Sequence, residues 1–204
     1  MTINNVLYEK AKEEMLTASG EDCQHFFVKN NCLLELGYWE LLHENPTKAD
    51  KIFKKICDSD IRASWGLFIS ALARGEVTDY PTYFELRNFL EIDLNIFLTY
   101  CLGDYVENII KYADWLYTIN PEVHKFIGRV FLKNGFEEYG LFFLNRAKDY
   151  FFTDPELHYL LAEYYAQNNN TEKTKDAIKD CLNILPGYYP ALALQEKLKL
   201  NCKE

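Results

Sequence analysis

Apolar side chains in residues 121–135, PEVHKFIGRVFLKNG, recur three and four positions apart: Val123, Phe126, Ile127 and Val130. That spacing lines one face of an α-helix. The Pro-Glu start suits a first turn, because proline lacks the N–H that would go unbonded there and an acidic side chain complements the helix dipole. Asn134-Gly135 then marks a turn. The pattern returns 34 positions later in PELHYLLAEYYAQNN, residues 155–169, with Pro121 over Pro155, Glu122 over Glu156, His124 over His158 and Asn134 over Asn168. It continues without a gap, Leu144 over Ile178, Ala147 over Cys181 and Tyr150 over Ile184. Each 34-residue unit therefore predicts two helices, the second of them at about 137–150 and 172–184, with Pro186-Gly187 ending the last.

Small and aromatic residues recur at fixed positions of these helices. Gly128 and Ala162 sit on the first helices, with Phe131 and Tyr165 three positions on; the second helices carry Gly140, Leu144 and Ala147, then Thr174, Ile178 and Cys181. In this combination the two units resemble tetratricopeptide repeats, with Pro186 at the closing proline and Phe152 in its place one unit earlier. The resemblance implies an all-α fold, a right-handed α-solenoid of stacked antiparallel helix pairs in a single domain, with atypical helices sealing both ends because a lone pair cannot bury its apolar face.

Upstream the same reading divides the chain into an N-terminal helix region (1–29), a repeat (30–63) with Leu36-Gly37, Ala49, Phe53 and Ile56, and a degenerate helical repeat (64–89) broken near Gly75 to Pro81. Residues 90–120 form a degenerate repeat whose back half, from Gly103, fits while its front half, LEIDLNIFLTYCL, departs from the pattern. Repeats at 121–154 and 155–188 and a capping helix at 189–204 complete the array, the sealing helices themselves falling at 3–17 and 190–200.

Composition narrows the function. Of 204 residues 49% are hydrophobic, enough for a sizeable core. With 22 basic and 31 acidic side chains the net charge is −9, which repels a nucleic-acid backbone. The excess of acid lies before residue 121. No apolar run reaches the roughly 18 to 20 residues that span a bilayer, and MTINNVLYEKAKEEMLTASG has no secretory or mitochondrial leader pattern. The expectation is a cytoplasmic chain without a membrane segment. Its six cysteines form no disulfide framework, and Cys23, His25 and Cys32 lack zinc-site spacing, so they read as reduced thiols.

No phosphate loop, nucleophile elbow or metal motif is present, so no catalytic, cofactor or metal site is expected. His124 and His158 hold one slot of the repeat and read as packing residues. Lys125, Arg129 and Lys133 differ, because four-residue steps drift by only about 40° around a helix and set the three charges in one ridge off the apolar stripe. In solenoids that the chain resembles, exposed faces of first helices line a concave groove for peptides. The matching positions are Leu34, Tyr38, Phe97, Tyr100, Tyr159 and Glu163. The terminal-carboxylate clamp of some members is incomplete here, since Tyr159 and Glu163 stand on the second of these helices. The resulting expectation is a non-catalytic module that binds an acidic or amphipathic segment of another protein, as an adaptor, assembly factor or secretion-type chaperone does. A self-assembling homo-oligomeric scaffold is the alternative, ahead of an enzyme or an RNA-binding helical repeat.

Overall fold

Thr82 Oγ1 accepts a hydrogen bond from the Glu85 N–H at 3.2 Å while the Glu85 carboxylate accepts one from the Thr82 N–H at 2.6 Å, a reciprocal cap that opens a helix of 17 residues. Asp60, Asp154 and Asn170 start other helices with one-sided caps, each side chain accepting an N–H of the first turn. The computed structural model describes residues 5–15, 21–76 and 81–198. All regular structure among them is helical: α1 (Asn5–Met15), α2 (Glu21–Asn30), α3 (Leu33–Leu42), α4 (Pro46–Phe53), α5 (Ile61–Ala73), α6 (Tyr83–Thr99), α7 (Gly103–Lys111), α8 (Ala113–Ile119), α9 (Val123–Lys133), α10 (Glu137–Tyr150), α11 (Pro155–Gln167), α12 (Thr171–Ile184) and α13 (Tyr189–Lys197).

One left-handed residue closes each of six tight turns: Asn31, Glu44, Gly75, Cys101, Gly135 and Asn169. In every case the following residue donates its N–H to the carbonyl five positions back, at 2.8 to 2.9 Å, which satisfies an otherwise orphaned carbonyl of the helix end. Cys101, Gly135 and Asn169 lie 34 residues apart, and so do the helix starts that follow at Gly103, Glu137 and Thr171. The stretch LEIDLNIFLTYCL, whose side chains depart from the repeat, thus ends its helix in register with it. Backbone geometry sets this turn, and a cysteine at φ 57° serves where the later unit uses glycine.

The chain divides into two units, residues 1–120 and residues 121–204. In the first, successive helices pack from α1 through α8, with α5 also contacting α3 and α7. Where one sealing helix is expected at 3–17, α1 and α2 enclose Ala11, Cys23, Phe27, Cys32 and Trp39; residues 3, 4, 16, 17, 199 and 200 of the expected sealing helices lie outside the described residues. Further along, the Phe53 ring of α4 is wedged between Gly37 of α3 and Gly66 of α5, and a Cβ on Gly66 would stand 2.6 Å from its Cζ. A Cβ on Gly37 would overlap the same ring from the other side, so Phe53 has no direction in which to retreat. Gly37→Ala gains up to about 1 kcal/mol of helix propensity but meets an overpacking cost of about 1–3 kcal/mol. We expect a net loss, read as a lower melting temperature; a variant melting above the wild type would show that the crossing has slack.

Asp93 of α6 is 0% exposed and gathers three helices around its carboxylate. Trp65 Nε1 donates to it at 2.7 Å, Tyr38 Oη at 3.2 Å, and Arg62 pairs with it. The Arg62 guanidinium lies over the rings of Tyr38 and Phe89, at 4.8 and 4.6 Å. Burial pushes the Asp93 carboxyl above its ordinary value against the opposing pull of Arg62.

In the second unit α9 packs on α10 and α11, α11 on α10, α12 and α13, and α12 on α13. Leu144, Ala147, Leu157, Leu161, Ala162, Ala177 and Ile178 form its core. A Cβ on Gly128 would stand 2.9 Å from the backbone nitrogen of Leu144, and one on Gly140 at 2.9 Å from that of Leu132, so both glycines set how closely α9 and α10 approach. No helix among the described residues is long and apolar enough to cross a membrane.

Candidate functional site

The ridge that spacing assigns to α9 is split by the fold. Lys125, expected on the open face, is 4% exposed. Its ammonium donates to Asp154 Oδ2 at 2.7 Å, Glu156 Oε2 at 3.0 Å and Glu122 Oε1 at 3.2 Å. Asp154 also caps α11, its other oxygen accepting the Glu156 N–H at 2.9 Å, so one side chain both starts α11 and anchors α9. Burial alone would lower the Lys125 pKa, but Asp154 and Glu156 outweigh it and hold the ammonium above the ordinary lysine range. Burial likewise pushes Glu156 up, and Lys125 with Arg129 overcomes that push and holds it below its ordinary value. The ammonium is a structural tie between α9 and the start of α11.

Arg129 straddles the two environments. Its Nη1 lies 2.5 Å from Glu156 Oε1, and the residue also lines an open cleft of about 310 Å³ between α9 and α11. Lys133 is exposed at the rim, with no carboxylate partner among the described residues. Opposite stand Glu163 and Gln167 of α11 with Asn168 at its C-terminal cap, and the apolar wall is made by Leu132, Leu160 and the ring of Tyr164, whose hydroxyl donates to Glu137 Oε2 at 3.0 Å. No protein-family model, curated protein or solved structure matches the chain.

The other expected groove residues do not join this cleft. Tyr159 is half-buried, its hydroxyl 3.4 Å from Glu163 Oε1 and its ring 5.7 Å from that of Tyr188. Tyr38 is buried with its hydroxyl on Asp93, and Phe97 is 1% exposed and stacked on Tyr105 at 4.8 Å; both are core. Tyr100 caps the end of α6 at the surface, and Leu34 is half-buried in the first turn of α3. His158 is buried, with Nε2 2.9 Å from the Phe152 carbonyl, and His124 is buried beside the Phe143 ring.

A second cleft, of about 330 Å³, lies in the first unit between α4 and α5. Its charges are already matched: Arg74 bonds Asp50 and Glu76, Lys54 bonds Asp50 at 2.7 Å, and Glu85 closes its own helix cap. Among the described residues no group of three or more His, Cys, Asp or Glu is arranged to hold a metal ion.

The partners of Lys125 were the features that helix-wheel reasoning missed. Asp154 and Glu156 read from the sequence as a helix start, and only the lysine one repeat earlier hints that they also face a neighbouring helix. Leu160, Tyr164 and Gln167 gave no signal of their own, because they fall beside the positions that the groove pattern selects.

Proposed function

We propose that the chain is a cytoplasmic, non-catalytic helical-repeat module of tetratricopeptide type, a right-handed solenoid that holds an extended acidic or amphipathic segment of another protein. The observation that carries this reading is the cleft between α9 and α11. Lys133 supplies a cation with no carboxylate partner among the described residues, Leu132, Leu160 and Tyr164 supply an apolar wall, and the amides of Gln167 and Asn168 can bond an extended backbone. The 34-residue spacing of the turns at Cys101, Gly135 and Asn169 supports the repeat architecture. An adaptor, assembly factor or secretion-type chaperone would use such a cleft.

Peptide display on the purified full chain tests the proposal. Enriched sequences are expected to place Asp or Glu beside an apolar residue. Lys133→Glu should weaken a selected peptide by about tenfold, the equivalent of one charged hydrogen bond, while Lys175→Glu on the exposed side of α12 should not. Enrichment of no sequence, or binding indifferent to both Lys133→Glu and Tyr164→Ala, would sink the reading.

A further inference from the structure

His158 of α11 is 3% exposed, and its two ring nitrogens meet different surroundings. Nε2 lies 2.9 Å from the Phe152 carbonyl oxygen, which can only accept, so Nε2 carries the proton of the neutral ring. Nδ1 is then a buried acceptor without a hydrogen-bond partner. Its neighbour is Asp180 Oδ2 at 3.7 Å, a second acceptor beyond hydrogen-bond reach. A buried acceptor left unmet costs free energy, and what this pair lacks is a donor.

Both groups line a further cleft, of about 230 Å³, walled by α10, α11 and α12. It shares no residue with the cleft between α9 and α11. Asp176 stands one turn before Asp180 on the same wall, and Lys148 of α10 and Lys173 of α12 add two cations. Lys173 lies over the Tyr165 ring at 5.3 Å, a contact that leaves its charge uncancelled. Lys148 and Asp176 have no ion-pair partner among the described residues. No group of acids and histidines among those residues is arranged to hold a metal ion, so the missing donor is an N–H or O–H.

We infer that this cleft binds a small zwitterion carrying a primary ammonium and a carboxylate, as an amino acid does. The ammonium has three N–H donors, one each for His158 Nδ1, Asp180 and Asp176. Its carboxylate meets Lys148 or Lys173, so both signs of charge in the cleft are answered together. Water could donate to Nδ1 but would leave the four charges unmatched. An amine without a carboxylate would satisfy the acceptors yet face two lysines. The volume sets the size, since it falls below the roughly 300 Å³ at which pockets for drug-sized ligands begin.

Nitrogen NMR of the isotopically labelled full chain tests the assignment, with glycine, β-alanine and γ-aminobutyrate as probes of increasing length. At about pH 8, above the ordinary histidine range, the free protein should show His158 as the Nε2–H tautomer. At least one probe should then move the Nδ1 signal and saturate with a Kd of about 1 mM or below. Its N-trimethylated counterpart, which has no N–H to donate, should bind at least about tenfold more weakly. Asp180→Asn and the double variant Lys148→Gln/Lys173→Gln should each weaken the same probe about tenfold, whereas Lys175→Gln on the exposed side of α12 should not. Circular dichroism confirms that each variant is folded. A doubly protonated His158 ring in the free protein, which would join Nδ1 to Asp180 and close the site, overturns the inference. So does the absence of any response at tens of millimolar probe, propylamine binding as tightly as the best zwitterion, or binding indifferent to both sets of variants.

Discussion

Asp93→Ala is expected to destabilise the first unit by about 3–5 kcal/mol, the range for removing one partner of a buried ion pair. It leaves the Arg62 guanidinium, Trp65 Nε1 and Tyr38 Oη facing an apolar space that held their common acceptor. Tyr38 and Trp65 are buried and Arg62 is partly so, and burial of a polar group without a partner costs more than the lost bond itself. For a unit of this size the loss corresponds to a melting-temperature drop on the order of 10–20 °C. Asp93→Asn should cost less, because its amide oxygen still accepts from Trp65 or Tyr38. The readout is specific: all three tryptophans, Trp39, Trp65 and Trp115, precede residue 121, so tryptophan fluorescence follows this unit alone. A midpoint within a degree or two of the wild type for Asp93→Ala would mean that the cluster holds nothing together.

Lys125→Ala has the second-largest expected effect, about 3 kcal/mol, the low end of the same range because Glu156 keeps partial contact with water. Three carboxylates, Glu122, Asp154 and Glu156, lose their shared cation, and the cap of α11 loses its tie to α9. Lys133→Ala, eight positions along the same helix, should change stability by no more than about 0.5 kcal/mol, as exposed substitutions do. Circular dichroism, which sees both units, separates the two variants.

The acid limb carries a further signature of the same tie. Glu156 is held below its ordinary value of 4.5, so its contribution to stability is present above that value and is lost as pH falls through it toward the depressed one. Lys125 is held above its ordinary value of 10.5, so its contribution is full below 10.5 and is lost only at higher pH. The wild-type second unit should therefore lose stability below about pH 4.5 more steeply than Lys125→Ala. Parallel acid limbs would place the charge of Lys125 outside the folding balance.

Local periodicity made much of the architecture readable. The helix expected at 137–150 is α10 residue for residue, and that expected at 172–184 lies within α12. Gly128 and Gly140 mark close crossings because a side chain there would meet the backbone of the opposite helix. The front half of the unit before residue 121 was obscured because its register is kept by a left-handed turn at Cys101, which carries no required side chain. The groove residues fared differently. An angle on a helix wheel says which way a side chain leaves its own helix, and nothing about what stands there.

The amino-acid sequence by itself determined the helices, their 34-residue recurrence and the small residues at their crossings, because each depends on neighbours within a few turns. Only the tertiary structure decided that Lys125 is a buried tie while Lys133 stays at the rim of a cleft, and that Asp93, in the apolar run LEIDLNIFL, joins three helices. Both outcomes rest on charges brought together from 29 and 31 positions away, and a charge is stable inside a protein only when such a partner arrives.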